Sequence, residues 1–122
     1  MENGARERRE LERAVVVDCR ACRSLCEQVL ASLLDNGRAD RGDDVVRALM
    51  TAAAITETAA TWLDEEQRLA AALLEFCADS CEAAAARLAQ LPQDPIVREC
   101  CETCRACADT VRALLYAAFD DH

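Results

Sequence analysis

At 122 residues the chain can build one hydrophobic core but not two, and 52% apolar content with three glycines and two prolines favours an all-helical fold. A net charge of −9 argues against nucleic acid, whose affinity rests on basic groups meeting phosphates. No apolar run approaches the ~20 residues of a membrane span, and the charged stretch Met1–Glu10 is unlike a signal peptide, so no membrane partner and a cytoplasmic location are expected.

Apolar residues recurring at helical spacing predict a first helix from Arg6 to Leu34, ended by Asn36-Gly37. Its inner face is Leu11, Val15, Cys19, Cys22, Cys26, Leu30 and Leu33. A second helix, Asp43 to Thr61, turns Val45, Val46, Leu49, Ala53, Thr56 and Ala60 inward and carries no cysteine. Met50, on its flank, is the one soft ligand it offers. Asp64-Glu-Glu-Gln67 has the form of a capping box opening a third helix, Asp64 to Leu91, with Ala70, Leu73, Cys77, Cys81, Ala84 and Leu88 inward. Pro92 and Pro95 break the chain. Asp94-Pro95 then starts a fourth helix running to Phe119, with Ile96, Val97, Cys100, Cys104, Cys107, Val111, Leu114, Leu115 and Ala118 on one side.

Four amphipathic helices joined by short links predict a single domain, an antiparallel up-down-up-down four-helix bundle. With ~1.5 Å of rise per residue, the cysteines of the first, third and fourth helices fall in one band, roughly 8 to 22 Å from one end of the bundle. Eight of the nine share both a face and a height. Cys101, about 100° round the helix from Cys100, is expected on the rim.

In a reducing compartment a cysteine-dense chain reads as metal-binding or catalytic rather than disulfide-bonded, and an odd count fits poorly with complete pairing. Thiolates select Cu(I), zinc and iron–sulfur clusters. Zinc or a four-cysteine cluster would leave five sulfurs unused, whereas Cu(I) accepts low coordination and bridging thiolates, which ranks several Cu(I) ions per chain first. The candidate ligands are Cys19, Cys22, Cys26, Cys77, Cys81, Cys100, Cys101, Cys104 and Cys107. A redox protein or enzyme using a thiolate-bound copper or iron–sulfur cluster is the alternative, and a zinc-stabilised interaction module a third reading.

Cys19-Arg-Ala-Cys22-Arg-Ser-Leu-Cys26, Cys77-Ala-Asp-Ser-Cys81-Glu and Cys101-Glu-Thr-Cys104-Arg-Ala-Cys107-Ala-Asp109 resemble the cysteine-rich four-helix-bundle copper storage proteins of bacteria. The resemblance implies a cytosolic bundle holding multiple Cu(I) ions along its core, often as a homotetramer. Relatives of that kind usually carry cysteines on the second helix too, where this chain has Ala53 and Thr56, and histidine or methionine near the bundle mouth.

His122 is the single histidine, so no Ser-His-Asp or Cys-His arrangement exists and the balance favours a binding protein over an enzyme. Asp120-Asp-His122 reads as a polar tail. Arg23 and Arg105 read as surface partners of Glu27 and Glu102. Val17, Leu25, Ile55, Phe76, Tyr116 and Phe119 fall outside the inner faces and suggest a homo-oligomeric interface.

Overall fold

The computed structural model describes residues 2–119; the tail Asp120-Asp121-His122 lies outside them. Four helices follow in order, α1 (Glu2–Asp35), α2 (Asp44–Asp64), α3 (Ala71–Leu88) and α4 (Pro95–Phe119), with no strand among the described residues. Each packs on two neighbours round a square: α1 on α2 and α4, α3 on α4 and α2.

Surface pairs fix the directions. Arg20 and Arg23 of α1 meet Asp64 and Glu57 of α2 at 3.0 and 3.3 Å, so a later residue of one helix meets an earlier residue of the other. Arg87 of α3 lies 3.8 Å from Asp44 of α2, and Arg112 of α4 reaches Asp79 and Glu82 of α3 at 3.1 and 2.7 Å. The two ordered pairs make α1 and α2 antiparallel, the other pairs fit the same alternation, and each short link reverses the chain again. Exposed pairs of this kind contribute little stability, and their information is about register.

Stability lies in the core. Leu49, Leu88, Leu114, Val15, Val29, Val46 and Val111 are essentially solvent-free, and they fill the bundle above and below the cysteines. Among the described residues no charged side chain is buried, and the buried polar side chains are Thr56 and Ser80. Thr56 donates to the Ala52 carbonyl of its own helix at 2.6 Å.

Several expectations need correction. α1 begins at Glu2, because a segment rich in glutamate and arginine propagates helix without an apolar stripe, aided by the Arg8–Glu12 pair. On α1 the buried residue of the fourth turn beyond Val15 is Val29, with Leu30 half-buried. The expected capping box does not form. Asp64 is the last residue of α2, its carboxylate taken by Arg20, and α3 starts seven residues later behind Ala70, with no side-chain cap. On α3, Leu74 is buried while Leu73 is 39% exposed and Ala70 is exposed. Ile55 is buried rather than outward.

Two helix ends close alike. After α1, Gly37 at φ 65° lets Arg38 N–H reach the Leu33 carbonyl (2.9 Å) and Gly37 N–H reach Leu34 (3.3 Å). After α2, Glu66 at φ 60° does the same, with Gln67 bonding Trp62 (2.8 Å) and Glu66 bonding Leu63 (3.0 Å). Both are Schellman motifs, one with the usual glycine and one without it.

Candidate metal centre

Cys19, Cys22 and Cys26 are carried by α1, Cys77 and Cys81 by α3, and Cys100, Cys104 and Cys107 by α4. All eight are fully buried and free. The spacing of three and four residues keeps each set on the inward stripe of its helix.

Between α1 and α4 the sulfurs form a ladder. Cys19 faces Cys107 at 3.7 Å, Cys22 faces Cys104 at 3.5 Å, and Cys26 faces Cys100 at 3.9 Å. Each step of three or four residues along α1 is matched by an equal step back along α4. Contacts also link neighbouring rungs: Cys22–Cys26 at 4.0 Å and Cys26–Cys104 at 3.8 Å. Cys22 reaches the diagonally opposite helix, its sulfur 3.9 Å from Cys81. Cys77 adjoins Cys19 and Cys81 and extends the band. Two groups of three thiols could hold an ion, Cys22–Cys26–Cys104 and Cys22–Cys81–Cys107, and both contain Cys22.

Thiol neighbours and burial set the proton affinities. Hydrogen bonds from Cys104, Cys107, Cys26 and Cys81 hold the Cys22 thiol well below its ordinary range, against the opposing effect of burial. Cys26 is pushed up by Cys100, Cys104, Cys22 and burial, and Cys81 by Cys107, Cys22, Cys77 and burial. Arg23 pairs with Glu57 on α2, not with Glu27 on its own helix.

Cys101 stands apart, as its azimuth requires, but not on an open rim. It is 4% exposed, wedged against α3, and its thiol donates to the Ala85 carbonyl at 3.4 Å. Met50 is half exposed and belongs to the outer surface. The thiol-free wall of the site is α2, which lines it with Ala52, Thr56, Ala59 and Ala60.

Sequence reasoning missed the clasp at the Cys19 end of the ladder. There Thr110 donates to Asp18 at 2.6 Å, a short charge-assisted bond joining α4 to α1. The signal was available in the register, since Asp18 precedes Cys19 and Thr110 follows Cys107 by one turn.

A family model described as copper storage protein matches residues 8–116. Among solved structures, the Cu(I)-bound copper storage protein BsCsp3 is similar, with 20% sequence identity and a TM-score of 0.75. The match covers 85% of this chain and 97% of that one. No curated protein matches.

Proposed function

The chain belongs to the copper storage protein family, and from that premise we propose that it sequesters several Cu(I) ions on the thiolates of Cys19, Cys22, Cys26, Cys77, Cys81, Cys100, Cys104 and Cys107. The observation that carries this reading is the sulfur band: eight fully buried thiols, seven of them with another sulfur at 3.5 to 4.0 Å. The Cys19–Cys107 rung joins the rest where Cys107 lies within 4.8 Å of Cys22 and Cys81. Soft thiolates select Cu(I), and such spacings allow one sulfur to serve two ions.

Electrostatics supports a capacity near one ion per core thiolate. Each thiolate brings one negative charge into a core where no cation is buried among the described residues, and uncompensated buried charge is costly. Bound Cu(I) cancels it, so the core becomes neutral at about eight ions per chain. Cys101 adds nothing to this count because its sulfur is turned to Ala85.

Nine reduced thiols call for a reducing compartment, which supports the cytoplasm as the site of action. No helix among the described residues is long and apolar enough to cross a membrane. Val17, Phe76 and Tyr116, each at least half exposed, support association of copies of the chain. Anaerobic titration with Cu(I) against a competing chelator tests the central reading. Uptake of several ions by a colourless protein is expected; saturation at one equivalent or fewer overturns it.

A further inference from the structure

The three thiols Cys22, Cys26 and Cys104 form a nearly closed triangle with edges of 3.5, 3.8 and 4.0 Å. Three thiolates bound at ~2.3 Å to a common centre lie about 3.5 to 4.0 Å apart at interbond angles of about 100 to 120°. A two-coordinate linear centre would instead hold two sulfurs about 4.6 Å apart. The triangle is thus already spaced for a three-coordinate ion.

Its surroundings discriminate by charge. Three thiolates and one monovalent ion leave two negative charges in a core with no buried cation among the described residues, an expensive state until further ions arrive. A trivalent centre leaves none. We propose that this triangle is a binding site for trivalent thiophilic metalloids, of which arsenite is the accessible probe. The step is condensation without redox change: As(OH)3 and three thiols give As(SR)3 and three waters, so three S–H and three As–O bonds are exchanged for three As–S and three O–H bonds. Reactant and product are both uncharged, which suits an apolar core.

The second three-thiol group, Cys22–Cys81–Cys107, is looser, with one edge of 3.9 Å and all three sulfurs within 4.8 Å; it can take the centre when the first triangle is broken, but both groups need Cys22. A sulfur committed to one arsenic in a neutral trithiolate is not available to a second. Capacity for arsenic is therefore one per chain, in contrast to several for copper.

The test is anaerobic incubation of the reduced, metal-free protein with sodium arsenite, followed by native mass spectrometry and a binding titration. A mass gain of one arsenic less three hydrogens is expected. Cys26→Ala and Cys81→Ala, each leaving one triangle intact, bind within threefold of wild type. Cys22→Ala and the double variant Cys26→Ala/Cys81→Ala each bind at least tenfold more weakly, with helical content checked by circular dichroism. No uptake by wild type, two arsenic per chain, or undiminished binding by the double variant overturns the proposal. None of these outcomes bears on copper, which the same protein titrates separately.

Discussion

Nine cysteines of one chain divide into two kinds by what each sulfur faces. Cys22 touches three other sulfurs directly, while Cys101 meets a backbone carbonyl. Cys101→Ser is therefore expected to leave the number of Cu(I) equivalents unchanged, whereas Cys22→Ser lowers it by at least one; chelator-competition titration of both variants reads the difference. The azimuth of Cys101 was legible from a helical wheel. What covered it was not, since that depends on how closely α3 approaches α4. The Asp18–Thr110 clasp offers a second test at this scale. Thr110→Val removes a short hydrogen bond to a carboxylate and should cost about 1.5 to 3 kcal/mol, measured by chemical denaturation.

The two Schellman ends show how an element stops. Gly37→Ala meets no atom within 4 Å, so its cost is the left-handed backbone alone, about 1 kcal/mol. At Glu66 the chain already bears such a cost, and Glu66→Gly should stabilise by about 0.5 to 1 kcal/mol in thermal or urea melts. The same site explains the misplaced boundary between the second and third helices. Asp64 and Gln67 carry the residue types of a capping box, but Leu63 gains burial by staying in α2, and that tertiary contribution outweighs a local signal. On α2 the fully buried Thr56 lies one residue from Glu57, the partner of Arg23, and so level with the Cys22–Cys26 segment of α1. Thr56→Cys nearly conserves volume and places sulfur on the silent wall. An increase of about one Cu(I) per chain is expected in the same titration.

For the molecule as a whole, the helix count, the antiparallel order and the shared height of the sulfurs were all legible, because each follows from periodicity, link length and rise per residue. The choice between Leu73 and Leu74 was not. Two adjacent leucines fit the spacing to Cys77 equally well, and only packing against the neighbouring helices decides it. Since the folded core alone brings the thiols together, copper bound there stabilises the native state by linkage. Free Cu(I) a thousandfold above its dissociation constant adds about 4 kcal/mol per independent site. The thermal midpoint should rise stepwise with loading and return to the apo value on chelation, followed by differential scanning calorimetry under anaerobic conditions.

The equal stepping of α1 and α4 makes the ladder a ruler whose length can be changed without altering its graduations. Continuing the same steps beyond the last cysteines brings Val15 level with Val111 at one end and Val29 level with Val97 at the other, all four buried. These valines occupy the next rungs in a series that sulfur simply stops filling. Capacity in such a seam is then set by where the sequence switches from cysteine to valine, one rung at a time, with helix lengths, turns and packing left as they are.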